Sequence, residues 1–411
     1  MTKKTLFIIG KPFSEYTNSI NRKHYNLIML LDSSAEEKNP ESFDKTYKIN
    51  FSSKTEFLSS LKEITERPDG ILALYENYVV ARSWASEYYK MDDLSENSAL
   101  AATNKILMRQ KFFDYDPSIT PLFSKVNRFE DIKDFTNKYG FPVMIKPGNL
   151  SKSLLVYKCN SLEEARNAYT TMTELFSKIY KKYNIYDKSG EIIVEQYLKG
   201  TMHTVAAFTN KKGEVFLCDD IVDNITASDI GKDDNYLYLR SIPSKLGKKQ
   251  QKEILAVSKK GMKALGLKGT AGHVELFYTS AGPKIIEIGA RLGGYRSRMY
   301  KLASGVDLVK ADISAATGSR ISLKKKFNNY CSVFEIFPDN EGMFKKVSNY
   351  EKIPNLATFY SMKLNVKDNE PIGQAKNGYK FTLNIVLKSE SKAKITKDIN
   401  FIKNNVKIET L

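Results

Sequence analysis

The sequence predicts an α/β protein that becomes α+β in its central part, and three observations carry that prediction. Residues 1–98 alternate apolar strand-like runs with helical patches, which argues for a small parallel unit. Residues 161–183 read as one long amphipathic helix, with Ser161 and Glu164 spaced as a capping box. From residue 201 the apolar runs are joined by short polar turns, Asn210 to Gly213 and Thr279 to Gly282, the mark of antiparallel hairpins.

Taken in order, TLFIIG, YNLIMLLD and ILALYE are buried strands of the first unit, with FLSSLKEITER helical and Pro68-Asp69-Gly70 a turn. Gly10 stands alone after the first strand, so the glycine-rich dinucleotide fingerprint is missing. SALAATNKILMRQKFFDY is expected as one helix, and RFEDIKDFTNKY as another ended by Gly140. FPVMIKP and EIIVEQYLKG are strands that end polar. MHTVAAFT and EVFLCDDIV follow, and Thr226 to Ser241 reads as a mobile loop. A helix (QQKEILAVSKKGMKALGL) precedes the paired strands of HVELFYTSAGPKIIEIGA. The tail adds CSVFEIFP, YKFTLNIVLK and a closing Lys/Asn-rich helix. The divisions expected are 1–98, 99–198, 199–322 and a small mixed region at 323–411.

Composition narrows the function classes. Lys and Arg total 64 against 47 Asp and Glu, a net charge of +17 over 411 residues. The lysines are spread along the chain and no nucleic-acid motif accompanies them, so a solvated basic surface is expected, not a nucleic-acid partner. Cys159, Cys218 and Cys331 have neither metal nor disulfide spacing and read as reduced, mostly buried thiols. No apolar run is long enough to cross a bilayer, which argues against a membrane partner. The opening MTKKTLFIIGKPF reads as a first strand, so the cytoplasm is the expected location.

The chemistry concentrates in two places. Glu275 and Glu287 lie on adjacent strands with the hairpin turn midway, which points both carboxylates to one face. Acids so placed, flanked by apolar residues, repel unless a cation lies between them, and magnesium is the natural one. Arg291, Arg296 and Arg298 crowd the glycine turn that follows, at Gly293 and Gly294. Arg296 is a candidate for a substrate carboxylate, and His273 points with Glu275 along its strand. His24, before a strand, reads as incidental, and His203 as packing. The second place is Lys146 at a strand end, able to reach a phosphate, with Ser151 and Ser153 in the next loop as phosphate donors. There Glu195-Gln196-Tyr197-Leu198 ends a strand at a domain junction, where backbone groups can read an adenine edge.

The succession Asn104-Lys105, FPVMIKP, EQYLKG, HVEL and EIGARLGG resembles the ATP-grasp superfamily of carboxylate–amine ligases. EIGARLGG and the C-terminal region with its Glu341-Gly342 turn most resemble the branch of L-amino acid ligases, with carbamoyl-phosphate synthase-like and purine-biosynthetic enzymes as related branches. The resemblance implies an ATP-grasp fold: an N-terminal parallel α/β domain, a lid, an antiparallel core and a C-terminal region. It implies ATP and Mg²⁺ (or Mn²⁺) as cofactors, small carboxylate and amine substrates, and a homodimer. Lys105 and Lys146 would bind ATP phosphates, Glu195 the adenine amine, and Gln196, Tyr197 and Leu198 the hinge side of the base. Glu275 and Glu287 would hold magnesium, Arg291 would stabilise the acyl phosphate, and His273, Gly293, Gly294 and Arg296 would face substrate. Three features depart from the family's pattern: Gly289 stands where an asparagine ligand is frequent, Met202 where an acid touches ribose, and the loop after Lys146 is poor in glycine. The rival expectations are a ligase for another acid and amine, and a nucleotide binder without catalysis.

Overall fold

Apolar alternation and turn chemistry sort the chain into four sheets among the residues described, 2–37, 40–150, 154–183 and 190–411 of a computed structural model. The first sheet holds β1 (Lys4–Gly10), β2 (Tyr25–Asp32), β3 (Lys45–Ile49) and β4 (Gly70–Ala73), all parallel in the order β3-β2-β1-β4. The second is antiparallel: β5 (Phe123–Val126), β6 (Val143–Pro147), β7 (Tyr157–Cys159) and β8 (Ile192–Gln196), in the order β5-β8-β6-β7. The helices Phe129–Tyr139 and Leu162–Tyr183 cover it, and its own core includes Ile132, Ile145, Met172 and Val194. The Ser161 hydroxyl caps the second helix at Glu164 N, 3.2 Å away.

The remaining strands are β9 (Gly200–Thr209), β10 (Val215–Leu217), β11 (Val222–Thr226), β12 (Leu237–Ile242), β13 (Thr270–Thr279), β14 (Gly282–Gly289), β15 (Tyr330–Ile336), β16 (Gly342–Val347), β17 (Phe359–Leu364), β18 (Pro371–Ile372), β19 (Leu383–Ser389) and β20 (Ile408–Thr410). A nine-stranded sheet runs β14-β13-β9-β11-β12-β15-β19-β17, with β10 beside β9. Residues after 323 therefore extend the central sheet by three strands, and β16, β18 and β20 form a small sheet of their own.

Two local expectations resolve differently. Of the segment from Thr226 to Ser241, residues 227–236 form the tip of the β11–β12 hairpin and Leu237 to Ser241 belong to β12; Lys232–Asp339 (2.8 Å) and Lys376 N–Asp234 (3.2 Å) tie the tip to the C-terminal region. The single helix expected over residues 98–115 is two, Glu96–Thr103 and Lys105–Tyr115. Asn104 breaks them: it is extended, and its side-chain oxygen accepts from Ile106 N and Leu107 N. The break turns Lys105 toward the second sheet, where its N–H donates to Gly148 O at 2.7 Å.

One core spans the first sheet and the hairpin of the central sheet. Phe7, Ile71, Tyr78 and Phe112 pack in the same buried cluster as Val274, Leu276, Ile285 and Ile288. Close packing of this kind holds the first unit rigidly against β13 and β14. No helix among the described residues is long and apolar enough to cross a membrane.

Candidate functional site

The β13–β14 hairpin carries the two acids. Thr279 pairs with Gly282 and Leu276 with Ile285, but Glu275 pairs with Glu287, so Ile286 is an extra residue in β14. Without that bulge Glu275 would face Ile286, and Glu287 would fall opposite Val274, on the other side of the sheet. The two carboxylates share a face because of the bulge.

Cations surround them. Lys105 Nζ lies 3.5 Å from Glu287 Oε2 and also donates to Leu150 O at 2.7 Å. His273 Nε2 and Glu275 Oε1 are 2.9 Å apart. Burial pushes the His273 pKa down against the pull of Glu275. Burial alone would raise the Glu275 carboxyl, yet the His273 hydrogen bond and the positive field of Arg296 and Arg291 hold it down at about 2. Arg291 Nε sits 2.7 Å from Glu76 Oε2.

Glu76 was not singled out by sequence reasoning. It follows β4 in the parallel sheet and reaches the site because that sheet shares a core with the hairpin. The available signal is its position just beyond a parallel strand's carboxyl end, where such sheets place ligand-facing groups. Burial pushes its pKa up against the pull of Arg291. A Cβ at Gly289 would lie 2.7 Å from Glu76 Oε2, so the room left by glycine there is taken by this third carboxylate.

The glycine turn divides its roles. A Cβ at Gly293 would overlap the His273 ring, so this glycine serves packing, whereas Gly294 borders open space. Arg296 is 2% exposed, and its Nη2 donates to Thr204 Oγ1 at 3.1 Å and Asn224 Oδ1 at 3.3 Å. Burial, then the nearby Arg240, lowers its pKa to about 10. Arg298 turns away and donates to Ser361 Oγ at 2.8 Å.

At the second sheet, the Glu195 side chain lies inward and not along the hinge where an adenine amine was expected. Its carboxylate is clamped between Lys146 Nζ at 2.6 Å and Arg109 Nε at 2.7 Å. Burial raises its pKa, but the two cations outweigh that and bring it below the usual carboxylate value. Burial lowers the Lys146 pKa to about 8 despite the attraction of Glu195. Gln196 N donates to Leu122 O at 2.9 Å and Tyr197 N to Pro142 O at 3.4 Å, and the Leu198 N–H has no acceptor among the described residues. Met202 is buried. Ser151 and Ser153 lie outside the described residues. Arg109 is the second residue that sequence reasoning missed; its signal is the four-residue spacing from Lys105 on one helix face.

Among the described residues no three His, Cys, Asp or Glu side chains close around a point as a ready metal cage. The opposed pair nevertheless fits magnesium, which is commonly held by one or two carboxylates with nucleotide phosphates completing the shell. Its open side supports the fit, since Glu275 and Glu287 keep 21% and 26% of their side-chain surface exposed.

Residues 139–299 match the model of the ATP-grasp domain. The L-arginine-specific L-amino acid ligase of Bacillus subtilis is 24% identical over 251 residues, covering 60% of this chain and 57% of that protein. The D-alanine–D-alanine ligase of Francisella philomiragia is 27% identical over 164 residues, covering 38% of this chain and 47% of that protein. The chain thus spans about half the length of these curated relatives. In structure it is similar to an L-amino acid ligase from Bacillus licheniformis, with a TM-score of 0.80 at 16% identity over 100% of this chain and 99% of that one. Residues 139–299 form an ATP-grasp domain, and the chain as a whole has the fold of that L-amino acid ligase.

Proposed function

We propose that the chain is an ATP- and Mg²⁺-dependent carboxylate–amine ligase that joins two amino acids. The observation that carries this reading is the in-register pair Glu275–Glu287, with Lys105 3.5 Å from Glu287 and Arg291 paired to the neighbouring Glu76. Lys105 and Lys146 bind the ATP phosphates, and the backbone of Gln196 to Leu198 meets the adenine edge. Glu275 and Glu287 hold magnesium, which neutralises phosphate charge. A substrate carboxylate oxygen attacks the γ-phosphorus, the bond to ADP breaks, and an acyl phosphate forms. The amine of the second amino acid then attacks the acyl carbon, phosphate leaves, and an amide remains. Arg291 faces the oxygen on which charge builds up. The sheet β5–β8 with its helices acts as the lid that keeps water from the acyl phosphate. Support for the dipeptide branch comes from the L-amino acid ligases among the similar proteins.

The test is phosphate release from MgATP, screened against single amino acids and their pairs. Release that needs two amino acids, with a dipeptide found by mass spectrometry, is the expected result. Nucleotide-induced thermal stabilisation without release for any pair would sink the reading in favour of a catalytically silent binder. Within an active pair, Arg291→Ala lowers kcat by roughly a hundredfold or more with little change in KM, since the group acts in the transition state.

A further inference from the structure

The bulge that brings Glu287 beside Glu275 has its own support. Ile286, the extra residue, turns its carbonyl toward the helix Lys105–Tyr115, and Arg109 Nη2 donates to it at 2.5 Å. Arg109 is 0% exposed, so this guanidinium has no access to solvent in which to recover a lost partner. Its Nε faces Glu195 Oε1 at 2.7 Å, and the other Glu195 oxygen faces Lys146 Nζ at 2.6 Å. One turn earlier on the same helix, Lys105 approaches Glu287 itself at 3.5 Å. A single helix thus touches the hairpin twice, once at the acid and once at the residue that aims it.

We propose that Arg109 is a positioning residue: it holds the Ile286 bulge, and through it the Glu287 carboxylate, in register with Glu275, and it ties that register to the lid through Glu195. This rests on the two-carboxylate metal site of the proposed function. The physical reason is the two-residue period of a strand. Losing the bulge moves Glu287 by one position and turns it into the apolar core around Val274. Bulges that re-aim a side chain beside a site are maintained by specific contacts. Only a guanidinium spans the carbonyl and the carboxylate together; a lysine ammonium reaches one of them.

The experiment measures Mn²⁺ binding by electron paramagnetic resonance in the presence of ADP, for the wild type, Arg109→Met, Arg109→Lys and Glu287→Gln. ADP binding without metal is measured alongside. Arg109→Met weakens Mn²⁺ binding by about tenfold or more, as loss of an outer-shell partner does elsewhere, while metal-free ADP binding stays within about twofold. Arg109→Lys falls between the two. Arg109→Met that lowers the melting temperature yet binds Mn²⁺ like the wild type overturns the proposal, because the residue is then only structural. If Arg109→Met does not fold, Arg109→Lys decides, and wild-type Mn²⁺ affinity in that variant overturns it. Glu287→Gln separates the two levels. If it too binds Mn²⁺ normally, the metal site itself is wrong; if it weakens binding while Arg109→Met does not, only the positioning role fails.

Discussion

β13 carries a charged cluster near each end of its buried half, and the two are built to different rules. At its start, Arg82 donates to Thr270 Oγ1 at 2.7 Å, to Gly269 O at 2.7 Å and to Asp93 Oδ1 at 2.8 Å, and the two charged side chains are 1% and 0% exposed. Five residues on, Glu275, Glu287 and Glu76 each face a cation or a histidine, but each keeps part of its surface open. The first cluster completes its charge within the protein and is sealed. The second is left with a polar, open side, which is how a site for a charged ligand differs from a structural ion pair.

Breaking the sealed cluster gives the largest expected effect. Arg82→Met leaves Asp93 buried without its cation and costs about 3–5 kcal/mol of stability, read by urea unfolding, while folded protein retains ADP binding. Breaking the open cluster moves function instead. Glu287→Gln lowers ATP turnover by about a hundredfold or more with a melting temperature near that of the wild type, measured by phosphate release and calorimetry. A smaller change sharpens the contrast: Gly289→Ala places a methyl group 2.7 Å from Glu76 Oε2 and must displace that carboxylate from Arg291. The far end of a flexible side chain yields easily, so stability changes by less than about 1 kcal/mol, and turnover falls roughly tenfold through misplacement of Arg291.

The smallest effect is a pH dependence at the lid. Lys146 has its pKa lowered to about 8, chiefly by burial. In the nucleotide-free protein it loses its proton as pH rises through about 8, so ADP affinity declines above that point in the wild type and not in Lys146→Met. Its effect on stability has the opposite sign. The unfolded chain keeps this proton up to the ordinary value of 10.5, so between about 8 and 10.5 the unfolded state binds more protons and this group's contribution to stability rises with pH. Isothermal titration and melting curves across that window check both directions.

The alternation of residues 1–98 and the hairpin turns were legible because each is written in local periodicity or in a short run, whereas the order of lysine, hinge and acid motifs came from the family resemblance. The structure brings Lys105 to Glu287 and His273 to Glu275, and pairs Arg291 with Glu76. Glu195 shows where such reading stops. Its place in EQYLKG marks a hinge, but its side chain points inward to Arg109 and Lys146, and the direction of a strand residue depends on which face the tertiary fold buries. The broken helix at Asn104 was hidden for a similar reason, since asparagine caps a helix or sits within one according to its context.

The sequence by itself determined which elements form, the two acids on neighbouring strands, and the basic residues near them. The shared face of these acids was expected from the chain, but only the tertiary structure decided how it is reached: a one-residue bulge at Ile286 shifts the register, and the contact beside it comes from Arg109, 177 residues away along the chain. It likewise brought Glu76 into the space that Gly289 leaves, through a core shared by two sheets. Strand period is local and can be read along the chain; register and the packing of one sheet against another are set by contacts between distant residues, which no local pattern records.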